Sequence, residues 1–298
     1  MRGHNDRTPA TRNTALSELA CTLHSLYVHP VKSCAGIAVR ESLLIETGLE
    51  FDRAWMLVDE RGEFVTQREQ PRLALVQPSL RSNDMVLRAP GMLALHVALD
   101  RVETPVRVQV WDDWVQAYEM GALAAQWLSD FLGQRIRLVR FDPQFTRLSA
   151  SRWTGPHRAS TAFADGFALL ITSTASLAEL NSQLEARGSP AVEMRRMRPN
   201  IVLDGIDAHD EDHIDSLEID TPQGTVQLKL VKPCTRCTIP GVDPATGIQG
   251  FEVIDALAGY RSDPRVGGAA TFGMNAIVIS GIEHVLAVGQ RGRASFSF

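Results

Sequence analysis

No stretch of the 298-residue chain approaches the ~18–20 consecutive apolar residues that a membrane-spanning helix needs. Nor does the start carry the apolar run of a secretory signal. Residues 1–20 mix charged and small polar types and read as a polar, disordered tail. Cysteine is scarce. Cys21, Cys34, Cys234 and Cys237 are too few and too unevenly spaced for a disulfide framework, which points to reduced thiols and a cytoplasmic location. Positive charge is not in excess: 30 Lys and Arg against 35 Asp and Glu leave a net charge of −5. That balance argues against general affinity for nucleic acid or acidic membranes, so any basic cluster needs a local reason.

What is present is an ordinary globular composition, 44% hydrophobic, patterned mostly for strands. Val106, Val108 and Val110 alternate with polar residues, as do Val226, Leu228 and Leu230, the period of half-buried strands. Short apolar runs at Ala54–Asp59, Asn200–Leu203 and Asn275–Ser280 add more. Two segments read as helices. Ala124, Trp127, Leu128, Phe131 and Leu132 share one face that ends at Gly133, and Ser176-Leu177-Ala178-Glu179 opens a capping-box pattern running to Gly188. Many strands with isolated helices predict β-barrel or sandwich domains of an α+β fold, mainly β, with a boundary between residues 141 and 158.

The most informative segment is Val231–Gly247, VKPCTRCTIPGVDPATG, an ordered loop by its prolines and glycine. Its Cys234-x-x-Cys237 pair has several readings. Structural zinc lacks a second ligand pair at suitable spacing, and a thioredoxin-like pair conflicts with the helix-breaking Pro240 and Gly241. Two small buried residues in a turn is a serious competitor. Against it, Lys232 and Arg236 favour thiolate, the form that ligates a soft, high-valent metal.

This loop, P-C-T-R-C followed by V-D-P-A-T-G, resembles the molybdenum-ligand loop of MOSC-domain proteins, including the mitochondrial amidoxime reducing component and its bacterial relatives. The resemblance implies a molybdenum cofactor (a Mo-pyranopterin) with Cys237 as metal ligand, Arg236 beside it and Cys234 structural. It departs from the family at Ile239-Pro240-Gly241, where relatives carry hydroxyl residues. It extends over nearly all of the chain after the tail. Leu26–Gly36, Asp52-Arg53-Ala54-Trp55 and Thr66–Arg72 resemble the N-terminal β-barrel domain, and Phe272-Gly273-Met274-Asn275 resembles the closing strand of the MOSC barrel. The domains implied are 21–145, an N-terminal β-barrel domain, and 146–298, the MOSC domain.

Lys32, Ser33, Arg53 and Arg68 are the cations and hydroxyl that a phosphate and a polar heterocycle require, although a single Arg or Lys is usually solvated charge. Their match to family positions makes them cofactor contacts. The same match selects Arg198 and Asn200 from Met194–Val202, with Arg195 and Arg196 at the surface, and puts Thr172, Ser173 and Thr174 near the cofactor at a helix start. Ser176 reads as a plain cap. Asp243 is the nearest carboxylate and is expected to orient water or a ligand, with a turn-forming Asp-Pro as the equal alternative. His29 sits beside Lys32. His209-Asp210-Glu211-Asp212-His213 reads as a solvated loop rather than a metal site.

The implied function is reduction of N-hydroxylated or N-oxide-type small molecules by oxygen-atom abstraction at molybdenum. Electrons are expected from a separate flavin or iron–sulfur protein, since no haem, flavin or cluster motif is visible. Two rivals stand beside it: a sulfur carrier or sulfurtransferase of cofactor maturation using a Cys237 persulfide, and a non-catalytic cofactor carrier.

Overall fold

The computed structural model describes residues 18–296. Residues 1–17 of the expected tail lie outside the described residues, and Glu18–Ala20 already belong to the first strand, Glu18–Val28. The alternating segments become strands because one face of each has a core to cover. Pro105–Val110 buries Val108 and Val110, and Gly224–Thr235 buries Val226, Leu228 and Leu230. The apolar runs become Trp55–Val58, Ile201–Asp204 and Ala269–Ser280.

Seven strands close into a barrel. Leu169–Ser173 lies beside Ile201–Asp204, followed by Glu18–Val28, Arg291–Phe296, Ile214–Thr221, Gly224–Thr235 and Ala269–Ser280, which pairs back onto Leu169–Ser173. Closure leaves no free edge along this circuit and fixes the shape of the rim. Leu23, Leu26, Ile171, Leu203, Leu217, Leu228 and Ala276 fill the interior. One neighbouring pair, Leu169–Ser173 with Ile201–Asp204, is parallel, and the helix Thr174–Ala186 makes the crossover that such a pair requires. The chain's first strand is part of this barrel, so the sequence segment assigned to the first domain is stitched into the second.

The intervening residues build a smaller unit. One antiparallel sheet runs Trp55–Val58, Arg137–Phe141, Asp113–Glu119, Pro105–Val110, and a second joins Gln77–Leu80, Asp84–Arg88 and Leu95–Ala98. The helix Ala122–Leu132 presses Trp127, Leu128 and Phe131 into their shared core and stops at Gly133. With Ser151–Thr154 and Glu252–Tyr260, the described residues hold four α-helices in a mainly β fold. No helix among them is long and apolar enough to cross a membrane.

Two local expectations are corrected. The second helix is capped by Ser173, whose Oγ accepts the Ser176 N–H at 3.0 Å, and Ser176 lies inside the helix. Its hydroxyl turns instead to Glu211, at 2.7 Å and 2.8 Å from the two carboxylate oxygens. The His209–His213 segment is therefore not a solvated loop: Glu211 is fully buried, and Asp212, paired with Arg261, is nearly so. Hydroxyl donors and a guanidinium make that burial tolerable. Among the described residues no group of three potential ligands is arranged for a metal ion.

Candidate functional site

Six turns and loops from both units converge on one cleft at the barrel rim. From the smaller unit come Lys32 and Ser33, Arg53, and Thr66 and Arg68. From the barrel come Ala164–Phe167, Met197–Asn200 and Cys234–Ile239, with Asn275 from the closing strand. The cleft is partly open to solvent, and the space it encloses is about 120 Å³. Ser33, Arg53 and Arg198 all carry positive φ, at 67°, 48° and 57°. Three non-glycine residues held in the left-handed region around one cleft mark a backbone constrained by something other than local preference.

Arg53 is the bolt between the units. Its Nη1 donates to Asn200 Oδ1 at 3.0 Å and to Asp52, and its Nη2 donates to the Arg198 carbonyl at 3.0 Å. Asn200 is fully committed as well, accepting the Leu170 N–H at 3.1 Å and donating to the Tyr27 carbonyl at 3.3 Å. Arg198 Nη1 donates to the Cys34 carbonyl at 2.6 Å. Among the described residues no carboxylate pairs with its guanidinium; burial and the neighbouring Arg53 bring its pKa down to about 10. It therefore remains a cation at neutral pH, seated where an anion would be welcome.

His29 is buried, with Nε2 3.0 Å from the Pro199 carbonyl oxygen. Burial, Arg53 and Arg198 hold its imidazole well below the ordinary value, so it is neutral and supports the Pro199 turn without lining the cleft. Lys32 is 94% buried, and its Nζ donates to the Phe163 carbonyl at 2.8 Å and to Asp165. Burial pushes its ammonium down, Asp165 opposes that, and Arg147 and Arg53 add to it.

Cys237 and Cys234 both reach the cleft. Arg68 Nη1 lies 3.9 Å from Cys237 Sγ, and Arg236 Nη1 lies 3.1 Å from Cys234 Sγ, so each sulfur faces a guanidinium. Arg236 Nη2 also donates to the Met197 carbonyl at 2.8 Å, and Gly250 N–H to the Gly241 carbonyl at 2.9 Å, pinning the loop at two places. All four cysteines are free thiols.

Lys32, Ser33, Arg53, Arg68, Arg198, Asn200, Arg236 and Cys237 are thus brought together, and four other expected site residues are not. Thr172 is buried with its hydroxyl 3.3 Å from the Met194 sulfur, Ser173 is the helix cap, and Thr174 donates to Asp204. Their hydroxyls are spent on the fold, and none of the three lines the cleft. Asp243 does not line the cleft either. Its Oδ1 accepts the Ala245 and Thr246 N–H groups at 2.7 Å and 3.2 Å, and its Oδ2 accepts from Arg196 at 3.1 Å. The turn-forming role prevails, with Arg196 bridging Asp243 to Glu252.

Sequence reading missed Asp165, Phe167, Arg147 and Asn275. Arg147 is 94% buried; it pairs with Asp113 at 2.8 Å and donates to the carbonyls of Ala162, Ala164 and Asp165 at 2.9 Å, 2.6 Å and 3.2 Å. It shapes the loop that places Asp165 over Lys32. The available signal was the Ala164-Asp165-Gly166 turn pattern.

Residues 20–135 match the family described as MOSC N-terminal beta barrel domain, and residues 158–291 match the MOSC domain. The chain is 35% identical over 250 residues to mitochondrial amidoxime-reducing component 1 of Mus musculus, covering 80% of this chain and 71% of that protein. It is 34% identical over 271 residues to its Homo sapiens counterpart, covering 85% and 76%. A molybdenum cofactor sulfurase of Danio rerio is 31% identical over 271 residues, 86% of this chain but 32% of that much longer protein. The chain belongs to the MOSC-domain family, in its two-domain form with an N-terminal MOSC β-barrel domain, and is similar to the mitochondrial amidoxime-reducing components.

Proposed function

We propose that this protein is a molybdenum-cofactor-dependent reductase of N-hydroxylated or N-oxide-type small molecules, with Cys237 as the metal ligand. The observation that carries the reading is the placement of the Cys237 thiol in a cleft walled by Lys32, Arg53, Arg68, Arg198 and Arg236. A soft thiolate suits high-valent molybdenum, and clustered cations suit the phosphate of a pterin. Arg236 Nε is buried without a partner among the described residues, a donor that a ligand or water would satisfy. The donor set fits the cofactor.

When bound, the cofactor supplies the two-electron oxygen-atom chemistry. The chain's own residues bind and orient. Arg68 faces the Cys237 sulfur at 3.9 Å, and Lys32 and Arg198 supply fixed positive charge on the lining. Asp52 and Asn200 hold Arg53 still, so its charge is presented without reorganisation. Among the described residues Asp165 is the one carboxylate on the lining, and it is tied to Lys32, which leaves the cleft net positive. Electrons come from a separate flavin or iron–sulfur protein in this reading. Free thiols suit a reducing compartment such as the cytoplasm, whereas the amidoxime relatives are named mitochondrial.

The sulfurase relatives give a second reading, in which Cys237, part-exposed at the cleft, carries a persulfide. Metal analysis and turnover decide between them. About one molybdenum per chain, lost in Cys237→Ala and kept in Cys234→Ala, supports ligation by Cys237. Turnover of a generic amidoxime with a chemical electron donor then separates the reductase from a cofactor carrier. A metal-free wild-type protein bearing a labile persulfide on Cys237 would sink the reductase reading.

A further inference from the structure

The hairpin joining Pro105–Val110 to Asp113–Glu119 turns through two residues, Trp111 and Asp112, with Val110 and Asp113 paired across it. Trp111 has φ of 55°, and Asp112 is not among the residues with positive φ. A two-residue hairpin with that sign pattern ordinarily puts glycine at the first position, because a side chain there is strained. Trp111 is therefore a poor choice for the turn itself.

The indole makes two directed contacts toward the cleft. Its Nε1 donates to Asp165 Oδ1 at 3.1 Å, the same oxygen that accepts from Lys32. Its ring stacks on Arg68, whose Cζ is 4.6 Å from the ring centroid. Arg68 in turn points Nη1 at Cys237 Sγ. Phe64 backs the indole at 5.1 Å, and the Arg147–Asp113 pair holds the hairpin tip against the loop that carries Asp165. Trp111 is nonetheless 44% exposed, so it is not there to fill a core. Guanidinium stacking on an indole fixes a side chain that is otherwise rotamer-rich.

We infer that Trp111 is a positioning residue of the cleft: a strained hairpin-tip indole that holds Arg68 against Cys237 and Asp165 against Lys32, and so sets the cationic mouth in which the anionic metal cofactor is retained. The last step rests on the molybdenum reading above. The first does not.

The two are tested together on the full chain with Trp111→Asn, Trp111→Phe, Arg68→Ala and the Trp111→Asn/Arg68→Ala double variant. Asparagine tolerates positive φ, so Trp111→Asn is expected to keep or raise the thermal midpoint of the metal-free protein. In that protein the Arg68 Nε–H NMR signal, assigned by its loss in Arg68→Ala, is expected to lose most of its ring-current shift in Trp111→Asn, where only the more distant Phe64 ring at 5.9 Å remains, and to keep more of it in Trp111→Phe. Molybdenum retained per chain after gel filtration in high salt is expected to fall about tenfold or more in Trp111→Asn, as for other residues that orient metal-site groups. The double variant is expected to lose less than the two single losses combined, because part of the Trp111 effect passes through Arg68 and the rest through Asp165. An unchanged Arg68 signal in Trp111→Asn overturns the inference. So does wild-type molybdenum retention in that variant, or a loss of retention that simply follows a lowered midpoint. If the wild-type chain holds no molybdenum, the cofactor reading fails, and the NMR signal alone decides whether Trp111 positions Arg68.

Discussion

Asn200 Oδ1 accepts hydrogen bonds from both Arg53 Nη1, at 3.0 Å, and the Leu170 backbone N–H, at 3.1 Å. One amide oxygen thereby joins the smaller unit to the barrel and fixes the floor of the cleft. In Asn200→Ala the Leu170 N–H and one arm of Arg53 lose their partner while still buried. Leaving such donors unsatisfied costs about 1–3 kcal/mol. The variant is expected to lose that much unfolding free energy, read as a lowered denaturant midpoint, and to weaken retention of any cleft ligand. A midpoint equal to wild type would show that the Arg53 contact does not join the two units.

Arg196 and Asp243 illustrate a second kind of dependence. The salt bridge at 3.1 Å ties the MRRM turn to the Cys237 loop, while the Asp243 carboxylate also caps its own turn. Because neither touches the cleft as a reacting group, Arg196→Met and Asp243→Asn are expected to lower kcat/KM of the loaded protein by about tenfold, as displaced supporting groups do, without changing its pH profile. A catalytic Asp243 would behave differently. Asp243→Asn would then abolish turnover and remove a limb of the pH profile.

Gly241 carries the third. A Cβ there would overlap the carbonyl oxygen of Gly250, whose own N–H closes the loop onto the Gly241 carbonyl. The clash is with backbone, so it cannot be relieved by a rotamer change. Gly241→Ala is expected to destabilise the chain by about 1–3 kcal/mol, read as a lowered denaturant midpoint, and to reduce molybdenum retained per chain. A variant as stable as wild type would mean that the loop has room to open.

Much of this arrangement is legible in the sequence because it is local. Val106, Val108 and Val110 announce a strand by alternation alone, whereas Lys32, Arg53, Arg68 and Cys237 are legible only through the match of their motifs to the family. The unread parts depend on contacts between distant residues. Trp111 acquires its role from Asp165, 54 positions away, and Arg147 from the loop 15 to 18 positions on. The Thr172–Thr174 run misled because hydroxyls at a helix start serve a cap as readily as a ligand. Glu211 looked solvated because the Ser173 and Ser176 hydroxyls that admit it to the core lie 38 and 35 residues earlier.

That buried cluster yields a prediction with two opposing signs. Burial pushes the Glu211 carboxyl up to about 7; the Ser176 and Ser173 hydroxyls pull against this, and Asp212 adds to it. Burial, reinforced by Arg261, lowers the neighbouring His209 to about 4, against the pull of Asp212 and Glu179. Between about pH 4.5 and 7 the folded chain keeps a proton on Glu211 that the unfolded chain has lost, so this group makes stability fall as pH rises. Between about pH 4 and 6.5 the unfolded chain protonates His209 and the folded chain does not, so this group makes stability rise with pH. The two slopes largely cancel over their common range. Glu211→Gln removes the falling contribution, worth about 3 kcal/mol across its window, and is expected to leave stability rising between pH 4.5 and 6.5 relative to wild type. His209→Asn, with a residue that tolerates the φ of 66° at this position, removes the rising contribution and is expected to leave stability falling from pH 4.5 to 7. Urea titrations at half-unit pH intervals read both slopes. Parallel curves for wild type and Glu211→Gln would mean that Glu211 is ionised in the fold, and that the two serines receive a carboxylate rather than an acid.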